Sequence, residues 1–251
     1  MIEARNISKS FGDHNVLKDV SVSFDRGQTN LIIGQSGSGK TVLMKCLIGL
    51  YQADKGQIIY DDRVFSEISE QEQMTIRKEV GMLFQGGALF DSKNVEENVM
   101  FPLSMFTDQS YEEKLERVNF CLNRVNLENA NKLFPSELSG GMIKRVAIAR
   151  AISMNPKYLF CDEPNSGLDP RTSGVIDNLI KEITEEYQIT TIVNTHDMNS
   201  VMQIGDHIIF IKQGKKMWEG NKEEIMNTNN KDLNDFVFSS EIFKRLKKSL
   251  S

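Results

Sequence analysis

Apolar and polar positions alternate along Val20-Ser21-Val22-Ser23-Phe24, the period-two signature of a half-buried strand. A different pattern follows. Leu31-Ile32-Ile33 is apolar throughout and runs into GQSGSGKT, after which residues 42–50 read as a helix. From about 86 to 153 the chain reads mostly helical. There, 112–126 is charged with Leu115, Val118 and Leu122 on one face, and a later helix carries Ile143, Val146, Ala147 and Ala151 at i, i+3, i+4 and i+8. From about 154 to 220 strands resume, among them Tyr158-Leu159-Phe160-Cys161 and the segment 190–195. Runs apolar on both faces belong to a parallel sheet covered by helices, so the expected class is α/β.

The eight residues 34–41 fit the pattern G-x-x-x-x-G-K-[ST] at Gly34, Gly39, Lys40 and Thr41. Glycines let the backbone turn tightly so that successive N–H groups converge on one anion, and the helix that follows adds its positive end. Lys40 can reach the β- and γ-phosphates, and the Thr41 hydroxyl can ligate Mg²⁺. A Gly/Ser turn can match such a pattern by chance. The apolar run before it and the helix after it favour a nucleoside triphosphate site.

Two further strand ends carry chemistry. Tyr158-Leu159-Phe160-Cys161 ends in Asp162 and Glu163, where Asp162 would serve the metal shell and Glu163 would polarise the attacking water. An acidic strand end that merely solvates a loop is the alternative. The segment 190–195 ends at His196, placed where open α/β sheets hold ligands and able to hydrogen-bond a γ-phosphate. Leu138-Ser139-Gly140-Gly141-Met142 then opens a helix. It is either a second anion site or an ordinary serine N-cap.

Composition narrows the classes. With 30 Lys plus Arg against 35 acidic residues the net charge is -5, which argues against nucleic acid as the main partner. Cys46, Cys121 and Cys161 are widely spaced among apolar residues, as buried free thiols of a reducing compartment are. The start MIEARNISKSF has no basic-then-apolar leader. No apolar run approaches the roughly 18 residues of a membrane span, so a membrane task requires a partner that spans it.

In order, GQSGSGKT, Gln85, LSGGM, LFCDEP, SGLD and His196 resemble the ATP-binding subunit of ABC transporters, over about 11–220. The resemblance implies a RecA-like P-loop core with a parallel sheet, an antiparallel β subdomain, and an α-helical subdomain inserted at about 86–153. Residues 221–251 would form a C-terminal helical extension. ATP and Mg²⁺ would be the cofactors. Phe11 would stack on adenine. Gly34, Gln35, Ser36, Gly37, Ser38, Gly39, Lys40, Thr41 and Val42 would hold the phosphates. Gln85 would touch Mg²⁺ and the attacking water. Ser139, Gly140 and Gly141 would cap the γ-phosphate on a second copy of the chain. Thr41 and Asp162 would serve the metal, Glu163 would be the base, Asp169 would couple the two sites, and His196 would clamp the γ-phosphate. Two copies would form a head-to-tail homodimer bound to an integral membrane permease, peripheral on the cytoplasmic face of the inner membrane.

Three departures from the commonest pattern are informative: Met142 where Gln is usual, Asn165 where Thr is usual, and GGALFDSKNVEENVMFPL after Gln85. LFQGGALFDS, PSELSGGM and DEPNSGLDP resemble the ATPase of Mla-type, MCE-associated phospholipid transporters of the bacterial envelope. That implies a permease docked beside Gln85 and Phe90 and a lipid-binding MCE protein, with local packing of Ala88-Leu89-Phe90 as the alternative. An ABC ATPase for another substrate and a soluble scaffold ATPase, as in iron–sulfur cluster assembly, are the competing functions. A DNA-repair ATPase would need a long heptad insertion between Lys40 and Asp162, which is absent. In the tail, Leu233, Phe236 and Val237 form one apolar patch. Phe243, Leu246 and Leu250 form another beside Lys244, Arg245, Lys247 and Lys248. The patches suit an amphipathic helix on the chain's own domain, a brace across the dimer, or a basic foot near the membrane.

Overall fold

The computed structural model describes residues 1–238, which fall into two compact units, one of residues 1–68 and 194 onward, the other of residues 69–193. In the first, β1 (Ile2–Phe11) pairs antiparallel with β2 (His14–Phe24). The alternation read at 20–24 is borne out: Val20, Val22 and Phe24 are buried and the serines between them are half-buried. The register shifts three times along the pair, and near the first shift Asn6 (φ 54) donates through Nδ2 to Oδ1 of Asp19 (φ 59) at 2.8 Å. Strands β4 (Lys55–Tyr60) and β5 (Arg63–Val64) complete an antiparallel sheet in the order β2-β1-β4-β5.

The same unit carries the phosphate-loop strand. β3 (Thr29–Ile33) is buried at every position and pairs parallel with β9 (His207–Lys212), which pairs antiparallel with β10 (Lys215–Gly220). Helix α1 (Lys40–Leu47) follows the loop. It ends three residues before the expected boundary because Gly49 turns left-handed at φ 73, against the Phe65 ring. After α7 (Met198–Ile204), the tail forms α8 (Lys222–Met226) and α9 (Lys231–Val237). In α9, Leu233 and Val237 are buried, Phe236 stacks on Phe210 with centroids 5.4 Å apart, and Asp232 pairs with Lys212 at 2.6 Å. The patch at Phe243, Leu246 and Leu250, with its lysines and Arg245, lies outside the described residues.

The second unit opens with α2 (Glu70–Lys78) and β6 (Val80–Leu83). Then come α3 (Val95–Phe106), α4 (Tyr111–Arg124), a 3-10 turn at Pro135–Glu137 and α5 (Gly140–Ile152). β7 (Tyr158–Asp162), α6 (Pro170–Tyr187) and β8 (Thr190–Thr195) complete it, β8 passing into the first unit at Asn194. β6 and β7 are parallel, with Leu83 opposite Cys161. The starts of α2, α3 and α4 share one local device: Ser69 with Glu72, Asn94 with Glu97, and Ser110 with Glu113 form capping boxes. Ser110 thus fixes where α4 begins, and its end falls at Arg124, short of the expected 126.

Helix α5 departs from the one-sided stripe expected of it. It packs against α3, α4, α6 and β6. Val146, Ala147, Ile148, Ala149, Ala151 and Ile152 are all buried, as is Lys144, while Ile143 is only half-buried. A helix enclosed on most sides loses the amphipathic signal that periodicity detects.

The loop leading into α3 hangs on one side chain. Asn98 is fully buried; it accepts from the Phe90 N–H at 2.8 Å and donates to the carbonyls of Phe90, Lys93 and Asn94 at 3.1, 2.9 and 3.0 Å. Its removal takes the side-chain partner from the Phe90 N–H and from three carbonyls, of which those of Phe90 and Asn94 keep a backbone donor. Asn98→Ala is therefore expected to cost about 2–3 kcal/mol in urea unfolding at an unchanged m-value, and a loss below about 0.5 kcal/mol would contradict the loop's dependence on it.

Candidate functional site

The loop after β3 has the shape an anion cradle needs. Gly34 (φ 148), Gly37 (φ 78) and Gly39 (φ 110) take backbone conformations that a Cβ disfavours. At Gly34 the constraint is also spatial, since a Cβ would stand 2.2 Å from the Ile211 carbonyl oxygen. The N-cap of α1 is Gly39, which has no side chain to occupy the helix's first N–H groups. Lys40, 6% exposed, curls back and donates through Nζ to the carbonyls of Gly34 at 2.8 Å and Gln35 at 3.3 Å. The Ser38 hydroxyl is buried without a hydrogen-bond partner. A buried orphan hydroxyl beside convergent amides fits a phosphate oxygen.

The loop is braced from outside. The Gly214 N–H donates to the Ser38 carbonyl at 2.9 Å, and the Lys18 N–H donates to the Gly214 carbonyl at 2.8 Å. Gln35, Ser36 and Gly37 are exposed, and Thr41 and Val42 are half-buried at the helix start. Within the same unit, Phe11 is 45% exposed at the tip of the β1–β2 hairpin, edge-on to Tyr51 with centroids 5.3 Å apart. Lys9 Nζ stands 5.4 Å from its ring. His196 is exposed directly after β8.

The second unit holds the other candidates. β7, buried at all five positions, delivers Asp162 at its end, and Glu163 follows with φ 48, a left-handed conformation costly for this residue type. Because Leu83 lies opposite Cys161 in parallel register, Gln85 and Glu163 leave the same ends of paired strands. Gln85 Nε2 donates to the Ser166 hydroxyl at 3.4 Å. Ser139 caps α5, its hydroxyl accepting from the Met142 N–H at 3.3 Å, so the capping reading of that serine holds. A Cβ on Gly141 would stand 2.7 Å from Thr172 Cγ2, and one on Gly140 3.3 Å from Leu168. This helix start therefore lies against the segment that carries Asp169. Asp169 caps α6 by accepting from the Arg171 and Thr172 N–H groups. The Thr172 hydroxyl, 2.5 Å away, holds its carboxyl below the usual range. Phe11, the 34–42 loop and His196 thus belong to one unit; Gln85, Ser139, Gly140, Gly141, Asp162, Glu163 and Asp169 belong to the other.

Some relevant groups were not anticipated. Arg150 donates to the Gly87 and Ala88 carbonyls at 2.7 and 2.8 Å, tying the loop after Gln85 to α5. Lys144 is buried on α5. Its position four residues before Ile148 and seven before Ala151, a lysine in register with buried apolar residues, is the signal that periodicity offered. A cavity of about 250 Å³ lies beside Phe84 and Phe90, lined also by Phe101, Phe106, Arg77 and Lys78. Phe84 and Phe90 are 40% and 41% exposed.

This fold and loop define a P-loop ATPase, and the chain belongs to the ABC transporter family, whose pattern matches residues 17–166. It is the ATP-binding, ATP-hydrolysing subunit of such a transporter. The chain is 43% identical over 218 residues to the methionine import ATP-binding protein MetN of Clostridium tetani, covering 86% of this chain and 68% of that one. It is 37% identical to the intermembrane phospholipid transport system ATP-binding protein MlaF of Haemophilus influenzae, covering 90% and 86%. Among solved structures, the dimeric ATP-binding cassette MJ0796 bound to ADP and Pi matches with TM-score 0.80 and 32% identity over 88% of this chain and 99% of that one. The cbiO1 cassette of Clostridium perfringens matches with TM-score 0.84 and 28% identity over 99% and 98%. No helix among the described residues is long and apolar enough to cross a membrane.

The cradle gives a paired test. Gly34→Ala is expected to lose more than about 3 kcal/mol of stability, and ATP binding with it, because the Cβ meets backbone. Gly37→Ala, with nothing within 4 Å of its Cβ, is expected to cost only about 1 kcal/mol for its positive φ. Equal losses in thermal unfolding would contradict the steric account of Gly34.

Proposed function

We propose that the chain powers a transporter that moves phospholipid between envelope membranes, docked as a peripheral subunit on the cytoplasmic face of the inner membrane. The observation that carries the catalytic half of this reading is the Gly34, Ser38 and Lys40 cradle followed by an uncapped helix start. The amides of 34–41 and the Lys40 ammonium would bind and orient the phosphate chain. Phe11 offers an exposed aromatic face for adenine. Thr41 of the first unit and Asp162 and Gln85 of the second would each offer a hard oxygen ligand to Mg²⁺, which when bound would neutralise charge on the β- and γ-phosphates. Glu163 would take the proton of the attacking water, and His196 would donate to the γ-phosphate.

The remaining residues imply a second copy. Ser139, Gly140 and Gly141 stand at the start of α5, and an Ser-Gly-Gly helix cap of one subunit would close on the nucleotide held by its neighbour. Asp169, against that same helix start, would carry information between the two sites. The dimeric state of MJ0796 supports the arrangement. Hydrolysis would remove the shared γ-phosphate contacts and let the subunits part, which is the mechanical output.

The aromatic hollow beside Phe84 and Phe90 suits an apolar segment of a permease, with Arg77 and Lys78 at its edge for a carboxylate. For the cargo, likeness to MlaF over 86% of its length and the stretches LFQGGALFDS and DEPNSGLDP support phospholipid and a lipid-binding MCE partner. A second reading, amino-acid import, is favoured by the 43% identity to MetN. Purification from detergent extract separates them. A multi-span subunit with an MCE protein and co-purifying phospholipid supports the first, and an amino-acid-binding partner set contradicts it.

Two variants test the chemistry. Glu163→Gln is expected to keep ATP binding, lower turnover by at least about 10²-fold and accumulate an ATP-bound dimer; near-normal hydrolysis would show that another group is the base. Lys40→Ala is expected to weaken ATP binding about 10–100-fold, the worth of a charge-assisted phosphate contact, and unchanged affinity would refute the cradle's chemistry.

A further inference from the structure

Strand pairing alone does not fix the place where Phe11 stands. The pairing of β1 with β4 runs from Ile2 to Ser8, and its pairing with β2 shifts register between Lys9 and Ser10. Past Ser8, one side chain continues the edge that β4 leaves off. Asp54, the residue before β4, donates its N–H to the Ser8 carbonyl at 2.9 Å. Its carboxylate accepts from Lys9 Nζ through Oδ1 at 2.7 Å and from the Ser10 N–H through Oδ2 at 2.6 Å. These two bonds, the lysine's first, hold the carboxyl below its usual range. Three consecutive residues of β1 are thus tied to one aspartate, and the next residue is Phe11. The ring itself has two supports. Tyr51 meets it at 72° with centroids 5.3 Å apart, and the Tyr51 N–H donates to the Lys45 carbonyl of α1 at 3.0 Å. Lys9 Nζ, anchored by Asp54, lies over one face of the ring, 5.4 Å from its centroid. Phe11 nevertheless remains 45% exposed. An exposed ion pair such as Lys9 with Asp54 adds little to stability, so the clip supplies position more than folding energy.

We propose that Asp54 is a positioning residue for nucleotide binding: by clipping Lys9 and Ser10 it presents the Phe11 ring to the base of ATP in a fixed orientation. The inference rests on the reading of Phe11 as the adenine platform. A ring already ordered in the free protein spares the complex the cost of ordering it. Stacking needs a base, so the clip matters for ATP and not for a triphosphate chain alone.

The test uses the full chain with Mg²⁺, and compares ATP with inorganic tripolyphosphate as ligands by calorimetry. Asp54→Ala is expected to weaken ATP binding and raise KM about three- to tenfold, with kcat within about twofold of the parent's. Its affinity for tripolyphosphate should stay within about twofold, and its melting midpoint within about 5 °C. Asp54→Asn keeps an acceptor for the Ser10 N–H and should recover part of the loss. Combined with Phe11→Ala, Asp54→Ala should add no further loss, because the two act on one ring. A loss for ATP below about threefold overturns the proposal. So does an equal loss for tripolyphosphate, no recovery in Asp54→Asn, or additive losses in the double variant. If Asp54→Ala does not fold, Asp54→Leu, which also lacks an acceptor, is read by the same criteria. Weakened ATP binding in Phe11→Ala beside normal binding in Asp54→Ala refutes this inference alone, whereas unchanged binding in Phe11→Ala refutes the adenine platform itself.

Discussion

A run of backbone amides can bind a phosphate only if they point to one place, and an L side chain at the wrong position prevents it. That constraint organises the first unit. Gly34 has no room for a Cβ because the Ile211 carbonyl of β9 is already there. β9 in turn pairs with the strand that delivers the loop. The Ser38 carbonyl is tied through Gly214 to Lys18, so the antiparallel hairpin and the β9–β10 turn both support the loop from behind. Lys40 closes the loop onto itself. The cradle is thus a product of the surrounding sheet as much as of its glycines.

The second unit solves a related problem for carboxylates. A fully buried strand carries Asp162 and Glu163 to its end, and the parallel register with β6 sets Gln85 at the matching end of the neighbouring strand. Arg150 and Asn98 shape the segment after Gln85 from two sides, one through the carbonyls of Gly87 and Ala88, the other through Phe90. Small residues at 140 and 141 let α5 begin hard against Leu168 and Thr172. Packing alone is sufficient reason for the glycine at 141.

Much of this was legible beforehand because it rests on local rules. Alternation in 20–24, the apolar runs of β3, β7 and β8, and the glycine spacing of 34–41 are written in consecutive residues. What was not legible depends on enclosure. Periodicity assigned α5 an apolar stripe led by Ile143, but neighbours on several sides bury Lys144 instead and leave Ile143 half-exposed. Helix ends shifted for equally local but unread reasons: a left-handed Gly49 stops α1, and the Ser110 capping box places α4. The positive φ of Glu163 has no sequence signal at all, since the residue type ordinarily avoids it.

Family membership fixes the reaction class, while the proposed cargo is supported by likenesses to relatives that differ in substrate. Between them stands the proposed sharing of each nucleotide by two chains. A structure of the ATP-bound Glu163→Gln protein with Mg²⁺ measures it most directly. The account predicts Ser139, Gly140 and Gly141 of one chain within hydrogen-bonding distance of the γ-phosphate held by the other chain's 34–41 loop. Nucleotide bound in that loop with residues 139–141 remote from every phosphate would contradict it.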